Sequence, residues 1–532
     1  LSANSLSANK ILGGNNNKNT GYEATVLGGL CNTASGNCSF VGSGYQVQSI
    51  GNNSVAVGGT LNKACGVCSF VGGGFNSCAV GNHSVVGGGY LNKACNNRSF
   101  AGGGYGNKAT ANCSVAVGGK CNTSSGISSI VVGGGYNYAT GAFSTVVGGG
   151  HNTSQFKNCA KATNSGILGG KNNTIENEGK CSFIGTGENN ISLSAHGAVV
   201  GGLTNTSSGS GAFIGAGVFN QSSGLASTVT GGLSNTTLEN FGVVGGGCNN
   251  SAAGTFASTV AGGFGNRANG QNSTIGGGQG NVAAGSGSTI GGGSGNTSCS
   301  TGTVGGGSGN CASGNSATVA GGTANKATGN SSFIGGGTTN CAVGSYSFVG
   351  SGGLNKAIGN QSFVGSGFAA CAIGGNSFVG SGGSAHGIYS VVLGSINKVC
   401  SQGGCSSVLG GKSNISLSAL DVIAGGFSNT TSGSGSVIGG GLFNTASGKV
   451  SFIGGGTNNT ASNTFSNVLG GCCNIASHTF TTIAGGFSSR NQSSLGFIGA
   501  GQNNNLAGNR SVITGGCNNK TTGAGDFLGG GY

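Results

Sequence analysis

The chain has 532 residues, with 124 glycines, 20 cysteines and no proline, methionine or tryptophan; 20 Lys and Arg against seven Asp and Glu give it a net charge of +13. So much glycine suggests collagen or disorder, yet glycine is not every third residue, proline is absent, and phased Val, Ile and Phe interrupt the polar stretches. No run of about 18 apolar residues offers a membrane span, and no basic stretch followed by an apolar core reads as a leader.

A 15-residue step runs through the sequence. Serine recurs at Ser39, Ser54, Ser69, Ser84, Ser99, Ser114, Ser129 and Ser144, and asparagine keeps the step at Asn62, Asn92, Asn107, Asn122, Asn137 and Asn152. Within Gly51–Cys65, two alternating runs, Ser54–Val57 and Asn62–Cys65, are separated by glycine-rich corners. A period of two between turn residues predicts a strand, so each repeat predicts two short strands and two tight turns. The expected fold is all-β: a parallel β-solenoid or β-roll of 15-residue coils stacked about 4.8 Å apart. It is expected to run over 1–532 as a single array, roughly 35 coils and on the order of 170 Å long. Phase breaks near 155–163, 174–180 and 401–412 predict loops. The shared segment N-I-S-L-S-A at Asn190–Ala195 and Asn414–Ala419 suggests duplication of larger blocks. Both Leu1–Asn4 and Gly529–Tyr532 read as parts of a coil that would complete one another, which predicts head-to-tail polymerisation.

Alternation assigns the faces. Ser54, Ala56, Asn62 and Ala64 are small enough to fill a thin roll, which turns Val55, Val57 and Lys63 outward. The lysine position recurs at Lys93, Lys108, Lys326 and Lys356, so the second strand faces water. The corresponding position on the first strand is apolar: Phe40, Phe70 and Phe100 alternate with Val, and Phe333, Phe348, Phe363 and Phe378 follow one another. Such a stripe exceeds the apolar patch a soluble monomer tolerates, and predicts burial against further copies of the chain.

Segments such as G-N-N-S-V-A-V-G (51–58), N-K-A-T-A-N-C-S-V-A-V-G (107–118) and N-S-A-T-V-A-G-G (315–322) resemble the head repeats of trimeric autotransporter adhesins (YadA-like heads). The resemblance implies a left-handed parallel β-roll in which three chains bury one strand face around a shared axis. The repeat unit here is slightly longer than is usual for that family, and cysteine is far more frequent.

Candidate chemistry is sparse. Among the acids, Glu176 and Glu178 are close together but lack a nearby partner for acid–base work. The five histidines, His83, His151, His196, His386 and His478, have no ligand spacing. No enzyme activity, cofactor or metal is expected. The cysteine count suits an oxidising, extracellular or cell- or virion-surface setting. The candidate disulfides are Cys31–Cys38, Cys65–Cys78 or Cys68–Cys78, and Cys113–Cys121; many of the cysteines read equally as small buried apolar residues. Candidate N-glycosylation sites at an exposed corner are Asn37, Asn52, Asn82, Asn97, Asn112, Asn272, Asn330, Asn360 and Asn509. The sequons at Asn122, Asn152, Asn205, Asn220 and Asn235 fall on the inward asparagine phase instead. The lysine stripe is a candidate surface for glycans or anionic cell-surface polysaccharide; its low charge density and sparse aromatics argue against nucleic acid.

These features favour a structural extracellular fibre with an adhesive or coat role, a self-partner in a homotrimer or head-to-tail polymer, and N-linked sugar. The alternative is an ice-binding or polysaccharide-binding solenoid. Ice binding would need threonine rows at constant phase, and Thr145, Thr274, Thr289 and Thr318 read as sporadic.

Overall fold

The computed structural model describes residues 9–400, 402 and 404–531. Ser401, which opens the third expected phase break, lies outside the described residues, as do Leu1–Asn4 and Tyr532, on which head-to-tail joining rests. A boundary between Asn272 and Ser273 divides the chain into two compact units, although the serine step passes it unbroken at Ser258, Ser273 and Ser288. Each unit is an all-β parallel solenoid whose coils keep the expected repeat length and carry two short strands apiece, and no helix occurs among the described residues.

One coil explains the rest. Val55–Ala56 is its first strand and Lys63–Ala64 its second, joined by a long turn through Gly58 and Gly59 and followed by a short turn to Ser69. Ser54, Ala56, Asn62 and Ala64 are fully buried between the strands, and Lys63 is exposed. Each strand pairs one repeat on: Val55 with Phe70, Ala56 with Val71, Lys63 with Cys78, Ala64 with Ala79. First strands thus form one sheet in each unit and second strands a facing one. A slip of one residue would expose the inner set, so the alternation fixes the register. The gap between the sheets is narrow, and bulk is shared across it: Ile423, Ile438 and Ile453 on first strands accompany Ser416, Thr431 and Ala446 on second strands.

The inner asparagines join coil to coil. Asn62 Nδ2 donates to the Gly58 carbonyl of its own coil at 2.6 Å and to the Gly74 carbonyl of the next at 2.9 Å, while Oδ1 accepts the Ser77 amide at 2.9 Å. Asn325 does the same with Gly321, Gly337 and the Asn340 amide, each at 2.9 Å. One side chain therefore closes a turn and ties two coils. Serine closes the other turn: Ser54 Oγ donates to the Gly51 carbonyl at 2.6 Å and the Ser54 amide does so at 3.1 Å.

Both turns use left-handed backbone. Leu61 (φ 59°) and Cys68 (φ 55°) are typical, and the position accepts even Val450 (φ 53°). Such a conformation costs a bulky residue about 1–2 kcal/mol. It also reverses the amide: strand residues donate forward, Val55 to Ser69 and Lys63 to Ser77, whereas Leu61 donates back to Tyr45 at 2.9 Å and Cys68 back to Asn52 at 2.8 Å. Those bonds offset the strain. Proline, with no amide hydrogen, would break the ladder at each of these positions.

Four insertions interrupt the step, the smallest being a single residue that sets Val243 against Thr259 and Ser251 against Arg267. Tyr138 pairs with Cys159 because a loop over 151–157 is added, and smaller additions set Thr174 against Ile191 and Lys398 against Ile415. The first loop corrects one inner assignment: Asn152 is exposed in the insertion, and Asn158 takes the buried position, donating to Gly148 and Gly170. Shorter coils also occur, as where Thr289 pairs with Thr303, one position sooner than the step predicts. Where Ala370 and Gly383 replace inner asparagines, the preceding first strands lengthen to Phe363–Ser366 and Phe378–Ser381, and Ser366 pairs with Ser381. The added pairing lies on the first strands and does not replace the carboxamide bonds, and before Val47, which also lacks a carboxamide, the strand Phe40–Val41 keeps its usual length.

Gly336 and Gly337 separate two roles of glycine. A Cβ on Gly336 would meet nothing within 4 Å, whereas Gly337 has φ +87° and its Cβ would collide with the Gly352 carbonyl and with Asn340 Nδ2. Gly337→Ala should therefore lower stability by about 2–4 kcal/mol, and Gly336→Ala should leave the urea midpoint nearly unchanged. Equal midpoints for the two variants would contradict this account of the turn.

Candidate functional site

Because the register repeats without slip, residues at one coil position form columns on the surface, and these columns are the candidate functional features. On the first-strand face, Phe333, Phe348, Phe363 and Phe378 stack with ring centroids 4.6–5.2 Å apart and planes within 10°. Phe40, Phe70 and Phe100 hold the same outward position in the first unit, paired with Val55 and Val85. Phe70, between Val55 and Val85, and Phe378, at the end of the stack, are both 37% exposed, so an adjacent rung covers each ring whether or not it is aromatic. The stripe is outward, as the alternation predicts, and its consecutive rings stack, which the alternation does not reveal.

On the same face, a one-residue deletion brings Thr303 into line with Thr274, Thr289 and Thr318, so these threonines occupy consecutive rungs. They are less sporadic than the sequence count implies. The row is a single file.

The second-strand face carries Lys63, Cys78, Lys93 and Lys108 on successive rungs, and Lys326, Cys341, Lys356 and Cys371 in the second unit. A further column on the long turn escaped the sequence reading. Phe75, Tyr90 and Tyr105 stack there at 4.8 and 5.0 Å, in register with Lys120. The signal was present in the same repeat step.

The nine candidate glycosylation asparagines are all exposed on short turns. Several bind through Oδ1 only: Asn52 accepts the Asn37 amide at 3.0 Å, Asn82 the Val67 amide at 3.0 Å and Asn360 the Ser345 amide at 3.1 Å. Nδ2 of these three, the atom an N-glycan bonds, has no hydrogen-bond partner among the described residues. The serine two positions on is the buried inner serine (Ser54, Ser84, Ser362), so the sequon's hydroxyl is closed to solvent in the folded coil. Asn122, Asn205, Asn220 and Asn235 are buried, as the inward phase predicts.

Of the candidate disulfides, Cys65 and Cys78 alone are brought together, with Sγ atoms 4.0 Å apart. The Cys78 thiol donates to Cys65, lowering its pKa to about 7 against the effect of burial, with Lys63 contributing; Cys78 is raised correspondingly. Cys31 and Cys121 sit on long turns, while Cys38, Cys68 and Cys113 sit on short turns. The pairs Cys31–Cys38 and Cys113–Cys121 are thus held at opposite edges of the roll, and Cys68 lies on a turn away from the Cys78 strand. The members of each pair are close in sequence, but the chain between them crosses the roll's width.

Acids are few and mostly engaged. Glu176 pairs with Lys161 at 2.8 Å and Glu188 with Lys171 at 3.0 Å, each tying adjacent coils. Glu178 occupies the turn beyond Glu176. Among the described residues, no group of three or more His, Cys, Asp or Glu is placed to hold a metal ion, and no helix is long and apolar enough to cross a membrane. No protein-family model and no curated protein matches the chain.

Asp421 takes an inner serine position and is fully buried. Its Oδ1 accepts the amide and hydroxyl of Ser436, both at 3.0 Å, and Oδ2 accepts the Ser418 amide at 3.2 Å. Burial raises its pKa above the usual 3.8, and these bonds oppose the rise only in part. A raised carboxyl pKa favours the folded state most below 3.8 and loses that contribution as pH rises through the folded value. Asp421→Ser should therefore raise the melting temperature at pH 7, with the gain disappearing at pH 3. A gain that is the same at both pH values would contradict the buried-carboxyl assignment.

Proposed function

We propose that the chain is a structural, non-enzymatic fibre protein of an extracellular, cell or virion surface, with an adhesive or coat role. The observation that carries this reading is the in-register column of outward Phe and Val on the first-strand face, with stacked rings from Phe333 to Phe378. A sheet face lined with aromatic and branched side chains on successive rungs is suited to pack against the same face of another copy. The likeness of the repeats to trimeric autotransporter adhesin heads supports three copies around one axis. Exposed short-turn sequons would place sugar on an edge away from that face, where a glycan would help keep a chain with so few charges in solution. The threonine row supports an ice-binding reading less well, because it is a single file of four rungs and the second strands of neighbouring coils carry Val282, Thr297 and Cys311 instead.

The test is the association state of the whole chain. The parent should sediment as a multiple of 50.2 kDa, with any surplus mass removed by glycosidase treatment. Phe348→Ser with Phe363→Ser should keep the β-type circular dichroism and shift the mass toward a single chain. A parent that remains a single chain at high concentration would refute self-association through this face.

A further inference from the structure

The first unit contains a cleft of about 440 Å³ on its long-turn side, bounded by Leu91, Tyr105, Lys93, Lys108, Tyr136 and Tyr138. Its floor exists because the turn column Leu91, Gly106, Cys121, Tyr136 loses its side chain at Gly106, where a Cβ would stand 3.2 Å from Cys121 Sγ. Columns flank the gap on either side: Tyr90, Tyr105 and Lys120 on the turn, and Lys93, Lys108, Thr123 and Tyr138 on the second strand. The loop over 151–157, the longest insertion in the repeat, brings Ser154 to the cleft and sets Lys157 4.6 Å above the Tyr138 ring. An insertion placed beside a cleft in an otherwise regular coil is where a binding function is expected.

Charge and ring geometry define the ligand. Eight of the chain's Lys and Arg, and none of its seven acids, fall between Ala24 and Ile175. Ion pairs engage Lys161 and Lys171, which leaves Lys93, Lys108 and Lys120 unpaired by carboxylates. The tyrosine faces are already in use. Tyr90 and Tyr105 stack on each other at 5.0 Å, Lys120 sits 5.7 Å from the centre of the Tyr136 ring, and Lys157 covers Tyr138. Bases of a single-stranded nucleic acid bind by stacking on open ring faces; the cleft offers phenol hydroxyls and ammonium groups instead. Lys93 and Lys108 stand on adjacent rungs, about 4.8 Å apart, a spacing suited to anionic groups repeated along an extended sugar chain.

We propose that this cleft binds a sulfated or carboxylated polysaccharide: Lys93, Lys108 and Lys120 hold the anionic groups, and Tyr105, Tyr136 and Ser154 bond the sugar hydroxyls. The site deepens the surface-adhesive reading above and rests on it. The experiment is titration of the whole chain with heparin oligosaccharide, with neutral dextran and poly(dT) as comparisons. Lys93→Gln with Lys108→Gln should weaken heparin binding about tenfold or more. Lys326→Gln with Lys356→Gln, which removes the same charge from the same strand position of the second unit, should leave it nearly unchanged. Dextran should not bind, and poly(dT) should bind more weakly than heparin of equal charge. Equal losses in the two double variants would overturn the site, as would stronger binding of poly(dT). Sedimentation of the same samples separates the two claims: lost heparin binding with unchanged assembly bears on the cleft alone.

Discussion

Each inner asparagine has one carbonyl oxygen and two amide hydrogens to satisfy in a space without water, and it does so only if the next coil is in place. Its Nδ2 reaches glycine carbonyls in two coils, and its Oδ1 takes an amide from a neighbouring one. A buried carboxamide left unpaired would cost about 1–3 kcal/mol, so the ladder stabilises neighbouring coils jointly. Several other features follow from it. The glycines at the left-handed turn position are there because a Cβ would strike the carbonyl and the Nδ2 that make these bonds. The core is thin because Asn and Ser take half of the inner positions, leaving room for one Val or Ile and one small residue in most coils. Proline is absent from a chain in which strand and turn amides alike are committed to bonds between coils.

With the interior fixed in this way, the outer positions are free to vary, and their placement is already decided. A residue type recurring at the repeat length becomes a column with rungs one strand apart, whatever its chemistry. Phenylalanine at the first-strand position gives stacked rings; lysine at the second-strand position gives a row of ammonium groups; tyrosine at the long turn gives a stair of phenols. The interruptions add what a regular lattice lacks. Gly106 opens a gap in one column, and the loop over 151–157 overhangs it.

The fold was legible because its determinants are periodic and local. Ser54, Ala56, Asn62 and Ala64 announce their burial by alternation, and the fixed step announces the register. Three kinds of information were not legible. A count of residues misplaces the ladder wherever the coil length changes: the fixed step puts Asn152 inside in place of Asn158 and leaves Thr303 out of the threonine row. Proximity in sequence is not proximity in the coil, which is why Cys31 and Cys38 stand on opposite turns while Cys65 and Cys78, on adjacent coils, meet. Finally, the period places the Phe stripe outward but is silent on ring orientation, and the near-parallel stacking of Phe363 on Phe378 is seen only in the structure.

The ladder's role is tested most directly at the gaps the sequence itself provides. Val47, Ala370 and Gly383 lack the carboxamide, so the amides of Asn62, Gly383 and Asn397 have no acceptor among the described residues; those of Asn107, Asn122 and Asn340 are bonded to Oδ1 of the preceding coil at 2.8–3.0 Å. Residue-resolved hydrogen exchange on the unmodified chain measures the difference. The three unbonded amides should exchange at least about tenfold faster than the three bonded ones, though both sets are equally removed from solvent. Equal protection across the six would mean that backbone pairing and side-chain burial hold the coils together, and that the asparagine ladder does not.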